Sequence, residues 1–572
     1  MSDTKDQQHH LEAERRVSQG DSVATDVTAV ITEKDKEKAT SPAATATSPK
    51  PHHHVDVPLS DPPYVGPFGG ASPEGYDAEL GLSPARSRAE AQENQVLEQK
   101  IEDGEDPWVV TFDEGDKRNP KNWSSARKWY ITILTSGLVF NSSFASSAPS
   151  GITQDVKAYF RISNEVAVLC ISLFVAGYIL GPILWGPLSE VYGRRIIFII
   201  SFVFYTGFQV GCALSRNTAS ILVFRFLGGT FAAAPLTNSG ACLADIYHPA
   251  DRGPAMGLFA VAPFAGPSIA PIVSGLIQTT HTNWRWLYWV LTIFAGACLA
   301  LIVFTLPETY PPTILVRIAK QKRKETGDDR WYAPLERRPA QSWAKRVNDI
   351  LLKPFVILAL EPMLMAITIY MSFIYGIIYL LFEAFPFVFI KNHHFNAATN
   401  GVAFLGFFMG GNVAAVIYIL FTDRHYRKYV KSIAPEKPAP EVRLLASRLT
   451  SVVLAISMFW FAWTSYPSVH WISPVLATAL LGFSVQTIFV GLFNYIIDSY
   501  LWVAASALAG ATVVRASFGA GFPLFASQMY DKLGTQWASC LLAFLALAMA
   551  PIPFVLIKYG PALRARSKFS PT

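Results

Sequence analysis

Three charged side chains lie inside long apolar runs of this sequence, where a charge is costly unless it faces a cavity or a partner. Glu383 could carry a proton that is exchanged for a substrate, or attract a cationic substrate; a carboxylate that reaches the membrane surface is the alternative. Arg225 could take part in the same proton coupling, or act as a polar clamp between helices. Arg515 carries the same cost. Glu383 and Arg225 are therefore the candidates for proton coupling.

Polar and aromatic side chains that recur within the apolar runs could line a cavity for a small molecule. For each of them, a hydrogen bond between helices is the alternative explanation. The candidates for a substrate cavity are Asn141, Asn238, Tyr375, Tyr379, Gln486 and Phe518.

Residues 186–195 form a short charged turn between two apolar runs, with the sequence Gly-Pro-Leu-Ser-Glu-Val-Tyr-Gly-Arg-Arg. Its charged residues have to lie at a membrane face, and its glycines allow two helix ends to approach closely. The pattern is typical of a transporter, with anchoring of a helix end by the two arginines as the alternative. The candidate residues are Gly186, Glu190, Gly193, Arg194 and Arg195.

The fifth apolar run combines small residues at four-residue spacing with two prolines, Pro267 and Pro271. Small residues permit close helix contact, and each proline removes a backbone hydrogen bond. Together with Gly266, these prolines predict a kinked helix interface, and a generic packing face is the alternative.

Chemistry other than transport finds little support in the sequence. No Gly-Lys dipeptide occurs, so there is no phosphate-binding P-loop, and an ion gradient is the expected energy source. The apolar runs hold no nucleophile with a base partner and no cluster of metal ligands, and the five cysteines lack metal or disulfide spacing. We expect no enzyme activity, no cofactor and no metal; the histidines at 9–10 and 52–54 are better explained by a solvated tail than by metal binding.

The elements that position these residues are membrane-spanning helices. Hydrophobic residues make up 51% of the 572-residue chain, and the mean hydropathy is +0.28 despite a polar beginning. Windows of about 20 residues with few charges predict twelve spans. They are 128–150, 165–188, 194–214, 218–243, 255–277, 285–306, 362–390, 397–421, 447–466, 470–495, 500–527 and 535–557.

The loops predict orientation and organisation. An even number of spans places both termini on one side, and most Lys and Arg of the loops fall on that side, which is then cytoplasmic. A basic central segment separates two groups of six spans, which indicates duplication; residues 423–428 faintly echo 190–195. The predicted parts are a disordered tail 1–125, a first half 126–306, a central loop 307–353, a second half 354–558 and a C-terminal tail 559–572.

The motifs resemble those of the major facilitator superfamily. The 186–195 turn is similar to the family's motif between helices 2 and 3, with Glu190 where many members carry Asp. The segment around Arg225 resembles the fourth-helix motif, with Gly228 in place of a frequent glutamine. The fifth run resembles the motif of proton-driven antiporters, with Ala270 and Ser274 where glycine is usual.

A narrower resemblance covers nearly everything from residue 106 onward, and points to the fungal drug:proton antiporter branch, which includes polyamine and multidrug exporters. The segments that carry it are 119–124, 235–238, 306–310, 382–386, 440–444 and 494–500. They do not choose a substrate within that branch.

The resemblance implies a fold of twelve transmembrane helices in two halves that rock around a central site as a proton enters and a substrate leaves. It assigns a cytoplasmic latch to Glu190, Arg194 and Arg195, and the antiporter bend to Gly266, Pro267 and Pro271. The implied protein is a monomer that exports drugs, polyamines or secondary metabolites across the plasma membrane, with the vacuolar membrane as the alternative site. A dedicated exporter of one metabolite or glycolipid, and a transporter-like nutrient receptor, remain alternatives. Nucleic acid is not an expected partner.

Overall fold

A computed structural model describes residues 106–248, 251–337, 352–433, 438–500, 503–567 and 569. The described residues all belong to one compact unit, and their regular structure is helical throughout. Residues 1–105 of the predicted tail and residues 338–351 of the predicted central loop 307–353 lie outside the described residues.

Ten helical stretches of the described chain are long and apolar enough to cross a membrane. The last of them, Ser506–Arg566, contains two predicted spans, because Gly534 interrupts the helix with a positive φ of 75°. The first predicted span is a 23-residue helix rich in serine and threonine, Ser125–Ser147. The chain is therefore an all-α membrane protein with twelve spanning helices, as the sequence predicts.

These helices are named α1 to α12 in chain order. They are α1 Ser125–Ser147, α2 Asn164–Tyr192, α3 Arg194–Leu214, α4 Thr218–Ile246, α5 Arg252–Thr279, α6 Arg285–Thr305, α7 Pro362–Phe385, α8 Ala397–Ile417, α9 Leu445–Thr464, α10 Ile472–Ser499, α11 504–533 and α12 535–549. Shorter helices are Thr153–Phe160, Pro311–Thr326, Lys353–Leu360, Asp423–Ile433 and Ile552–Arg566.

Local sequence sets several helix ends. Asn217 caps α4 by accepting a hydrogen bond from the backbone N–H of Ser220 at 2.7 Å, and Asn396 caps α8 through Thr399 at 2.8 Å. Between α2 and α3 the chain reverses at Gly193, whose φ of 94° favours glycine. The residues at these positions therefore determine where the helices begin and end.

The helices pack as two groups of six. In the first half α3 contacts α4 and α6, and in the second half α10 contacts α8 and α9. The halves meet through two pairs of helices, α5 with α8 and α2 with α11. This is the two-half arrangement that the motifs imply.

Close contact between α8 and α10 depends on glycine. A Cβ on Gly410 would overlap the backbone carbonyl of Ala479, whereas the nearest atom to a Cβ on the adjacent Gly411 would be 3.8 Å away. Backbones approach this closely only where side chains are minimal.

We expect Gly410→Ala to destabilise the protein by about 1–3 kcal/mol, because the added methyl group displaces α10. Gly411→Ala should leave stability unchanged or raise it, since alanine favours the helix by up to about 1 kcal/mol. The thermal unfolding midpoint of detergent-solubilised protein measures both. Equal midpoints for the two variants would show that the α8–α10 contact does not depend on Gly410.

The two ends of the bundle differ. We call the end that carries the 186–195 turn and the beginning of α1 the basic face. At the opposite face, three hydrogen bonds join the halves: Asn164 Nδ2 to Ser527 Oγ at 3.1 Å, Gln528 Nε2 to Glu165 Oε1 at 3.2 Å, and the backbone N–H of Ala398 to Thr279 Oγ1 at 3.2 Å. The opposite face is therefore closed between the halves.

Residues 106–124 differ from the predicted tail. The backbone N–H of Val110 donates to the carbonyl of Tyr332 at 2.9 Å, and Trp108 packs edge-on against Trp331 at 5.4 Å between ring centroids. Burial raises the pKa of Tyr332, whose hydroxyl donates to Asp106 Oδ2 at 2.6 Å. The apolar side chains at 108–112 are few, but they suffice to pack this segment onto the central segment, so the boundary at 125 lies too late.

Candidate transport pathway

The 186–195 turn is fixed to the ends of two other helices. Arg194 is 2% exposed, and its Nε donates to Asp245 Oδ2 at the end of α4, 3.1 Å away. Its backbone N–H donates to Glu308 Oε1, just beyond α6, at 2.9 Å, and the next N–H, of Arg195, donates to Glu308 Oε2 at 3.3 Å. A Cβ at position 193 would overlap the same carboxylate. The turn is thus part of a buried charge cluster.

Asp245 and Glu308 bind the turn, although they are not among the candidate residues named above. Each follows an apolar run and returns to the face where the basic turn lies, which is the signal that could have found them. Glu190 is half-buried at the end of α2, and Gly186 lies one turn earlier, near the methyl group of Thr237.

The second half contains a similar cluster. Arg443, just before α9, donates from Nε to Asp498 Oδ2 at the end of α10, at 3.0 Å. Arg194 and Asp245 occupy similar places, at the first residue of α3 and at the end of α4. Glu441 accepts two hydrogen bonds of 3.0 Å from the Arg564 guanidinium.

The segment 423–428, which echoes the turn, begins the helix Asp423–Ile433, and this helix follows α8 as the turn follows α2. Arg427 pairs there with Asp423 four residues earlier at 2.8 Å, and both side chains lie against Gly253 near the beginning of α5.

Arg225 is fully buried in α4 and acts as a clamp. Its Nε donates to the carbonyl of Cys170 in α2 at 2.6 Å, and its Nη2 donates to the carbonyls of Ala145 and Ser146 in α1 at 3.0 and 3.2 Å. The Phe174 ring covers the guanidinium at 4.1 Å. This geometry holds α1, α2 and α4 together, as expected of the polar clamp that was the alternative to proton coupling for Arg225.

Glu383 lies near the end of α7 at the opposite face. Its Oε2 accepts a hydrogen bond of 2.8 Å from Ser527 in α11, and Ser527 itself accepts from Asn164 of the first half. The carboxylate is thus connected to the contact between the halves through one hydroxyl group. Protonation of Glu383 would change a bond at this contact.

Helix α5 joins both halves along the predicted antiporter motif. A Cβ on Gly266 would overlap Ser143 in α1, while the carbonyl of Pro271 lies against Gly401 in α8. The helix continues from Arg252 to Thr279 through Pro263, Pro267 and Pro271. The motif therefore lies where the first half meets the second.

The proposed cavity residues divide into separate groups. The Tyr375 hydroxyl donates to that of Tyr379 at 3.4 Å, and the Tyr379 hydroxyl bonds at 2.8 Å to Ser146 of the first half. Phe518 stacks with Phe522, at 5.4 Å between centroids.

Asn141 and Asn238 differ from each other. The Asn238 amide donates to the carbonyl of Trp185 at 3.1 Å and accepts from Ser189 at 3.0 Å, so this residue bonds helices together, as in the alternative explanation. Asn141 is buried, and neither its Nδ2 nor its Oδ1 has a partner within the described part of the chain. Of the two, Asn141 can still bond to a ligand.

Gln486 lines a cavity between the halves. The cavity is also lined by Phe264 and Ser268 of α5 and by Asn412 of α8. The Gln486 Nε2 donates to the carbonyl of Ala260 in α5 at 3.2 Å. Aromatic and amide groups in one cleft are suited to bind an amphiphilic molecule.

Twelve spanning helices in two halves, with charge clusters at one face and polar groups between the halves, define a membrane transporter. Residues 133–520 match the sequence model of the Major Facilitator Superfamily, and this chain belongs to that superfamily.

Similar proteins include fungal efflux proteins. The chain is 41% identical over 467 residues to the Major facilitator superfamily multidrug transporter mdrA of Aspergillus fumigatus, covering 82% of this chain and 76% of mdrA. It is 40% identical to Efflux pump FUB11 of Gibberella moniliformis, covering 81% and 78%. It is 38% identical to Major facilitator-type transporter sorT of Penicillium rubens, covering 82% and 89%. The relatives are transporters rather than enzymes.

Solved structures share the fold. The proton:xylose symporter XylE superposes with a TM-score of 0.55 at 16% identity, over 76% of this chain and 96% of XylE. The human organic anion transporter MFSD10 superposes with a TM-score of 0.52 at 16% identity, over 75% of this chain and all of MFSD10.

Proposed function

We propose that this protein exports small amphiphilic molecules, such as drugs, polyamines or secondary metabolites, in exchange for protons. The observation that carries the proposal is the connection of Glu383, through Ser527, to Asn164 of the other half. A carboxylate in this position changes the contact between the halves when it gains or loses a proton. The efflux-pump relatives support the direction of transport.

In the proposed cycle the halves rock about α5 and α2, and the central site opens to one side at a time. The structure has its opposite face closed, and the basic face is the cytoplasmic one, because Lys and Arg of short loops are retained inside. A substrate enters from the cytoplasm, and a proton that reaches Glu383 from outside breaks or remakes the Ser527 bond. The protein acts as a monomer in the plasma membrane, with both termini in the cytoplasm.

The charge clusters of the basic face form the cytoplasmic latch in this proposal. Arg194 donates to Asp245 and Arg195 to the carbonyl of Val303, and Glu190 lies half-buried at the end of α2. The pair Arg443–Asp498 performs the same task in the second half.

Export of one dedicated metabolite is the second candidate, because the similar proteins include efflux pumps whose names do not specify multidrug transport. Comparing the compounds retained by cells with and without the protein separates the two, since a multidrug exporter changes the retention of several unrelated amphiphiles. Purified protein in liposomes then tests the coupling. We expect substrate movement to stop when an ionophore collapses the pH difference, and undiminished movement would contradict antiport.

We expect Pro267→Leu to reduce the export rate about tenfold without abolishing membrane insertion, because the restored backbone hydrogen bond stiffens α5 where it joins the halves. Surface-labelled protein and transport are measured in the same cells. Gly296→Ala in α6 is the matched control, since nothing lies within 4 Å of a Cβ at that position. Equal loss of protein and of transport would remove a mechanistic role for Pro267.

A further inference from the structure

We propose that Arg515 binds the anionic group of the exported molecule, so that the preferred substrates are amphiphiles with a carboxylate or similar anion. The inference deepens the proposed function and rests on it for the export step. It concerns binding, which can be measured without transport.

Arg515 lies at the middle of the membrane. It is eleven residues from the beginning of α11, or about 16 Å along a helix that has to cross roughly 30 Å of hydrocarbon. A guanidinium at this depth is costly unless it has a partner or faces water or a ligand.

The surroundings of Arg515 supply aromatic rings but no counter-charge. Its guanidinium lies 5.2 Å from the Tyr375 ring, 5.9 Å from Phe489 and 5.2 Å from Phe493. Such contacts are favourable, yet they leave the N–H donors of the guanidinium unused. Among the described residues no acceptor or carboxylate bonds to Arg515.

Arg225, which also lies within a spanning helix, differs from Arg515 in its hydrogen bonds. Arg225 is fully buried, and its Nε and Nη2 donate to three backbone carbonyls, while its Nη1 has no partner within the described part of the chain. Arg515 is half-buried, and none of its nitrogens has such a bond to a described residue. Among the described residues the fold thus engages two nitrogens of one intramembrane arginine and leaves the donors of the other available.

Arg515 faces the other half of the protein rather than lipid. Gly519, one turn further along α11, lies against Tyr375 and against Val175 of α2. About two turns beyond Gly519, Ser527 of α11 bonds to Asn164, which lies on α2 like Val175. The side of α11 that carries Arg515 is thus the side where the halves meet.

Glu383 does not serve as the counter-ion. Its partner Ser527 lies twelve residues from Arg515, about 18 Å along α11. The two charges occupy different depths, which separates a proton site near the opposite face from an anion site at the middle.

The aromatic side chains around Arg515 lead to the cavity lined by Gln486. Phe489 packs edge-on against Phe264 across the halves, with 5.2 Å between the ring centroids, and Phe264 lines that cavity. A molecule whose anion binds Arg515 can place its apolar body along these rings. The site therefore fits an anionic amphiphile, which narrows the substrate classes proposed above to drugs and secondary metabolites that carry an anion and sets polyamines aside.

The test uses three probes of similar size at neutral pH: 2-naphthoate, its methyl ester and 2-naphthylmethylammonium. Equilibrium dialysis with detergent-purified protein measures their affinities. We expect the carboxylate to bind about tenfold more tightly than the ester, as a charge-assisted hydrogen bond provides. Arg515→Gln should lower the affinity for the carboxylate to that for the ester, and Arg515→Lys should retain part of the preference for the carboxylate.

Equal affinity of the wild type for the carboxylate and the ester would overturn the proposal. So would an equal decrease of the affinity for both probes in Arg515→Gln. A wild-type protein that prefers the carboxylate but moves it without regard to pH would refute antiport and leave the anion site intact.

Thermal unfolding without ligand supplies an independent measurement. Arg515→Met should leave the unfolding midpoint unchanged or higher, because it removes a charge that the fold does not compensate. Arg225→Met should lower it, because it removes a clamp. If Arg515→Met lowered the unfolding midpoint as much as Arg225→Met does, Arg515 would be structural and the proposal would be overturned.

Discussion

Replacing Glu383 with glutamine is expected to lower proton-driven export by about 100-fold or more, the usual effect of losing a group that transfers a proton. Glutamine retains the size of the side chain and can still bond to Ser527, but it cannot release a proton. The initial rate of substrate movement in liposomes, with an imposed pH difference, measures the effect. Exchange of labelled for unlabelled substrate without a pH difference should persist, because it needs no net proton movement.

Ser527→Ala is the matched control for Glu383→Gln. It removes the bond between the carboxylate and the other half but leaves the carboxylate itself. We expect a smaller loss of rate and a displaced pH optimum. Wild-type export by Glu383→Gln at every pH would eliminate Glu383 as the proton site.

The second large effect is expected at the buried pair of the basic face. Asp245→Asn should destabilise the protein by about 3–5 kcal/mol, because Arg194 would remain as a buried charge without its counter-charge. The side chains of the pair are 3% and 1% exposed, so water cannot replace the lost partner. The unfolding midpoint and the amount of folded protein measure the change. The double replacement Arg194→Met with Asp245→Leu should recover part of the loss, since it leaves no unpaired charge.

The control for Asp245→Asn is the more accessible pair Asp423–Arg427 within the helix Asp423–Ile433. Arg427 is 41% exposed at its side chain, and Arg427→Ala should change stability by less than about 0.5 kcal/mol. Similar midpoints for Asp245→Asn and Arg427→Ala would show that the buried cluster does not hold the turn.

The spanning helices could be predicted from the sequence because a window of about 20 apolar residues has few other structures available in a membrane. The reversal at Gly193 was predictable for a similar local reason, because a glycine and several charged residues separate two long apolar runs there. Boundaries were displaced by a few residues, as at α1, where Ser124 accepts from Arg127 and begins the helix earlier than hydropathy indicated.

The partners of the turn could not be predicted in the same way. Asp245 and Glu308 lie far along the chain from Arg194, and hydropathy does not report which helix ends meet. The same limit applies to Arg443 and Asp498, since hydropathy does not report that the residues before α9 and at the end of α10 form a pair. It also explains Asn238, whose bonds to Ser189 and the Trp185 carbonyl follow from the contact of α2 with α4.

The measurement that tests exchange most directly is the direction of proton movement when substrate alone is supplied. Purified protein is placed in liposomes that contain a pH-sensitive dye, with no initial pH difference, and substrate is added outside. Exchange predicts that protons leave the liposomes as substrate enters, so that the interior becomes alkaline, and that Glu383→Gln abolishes this change. Acidification of the interior would show that proton and substrate move together, and it would contradict the proposed mechanism.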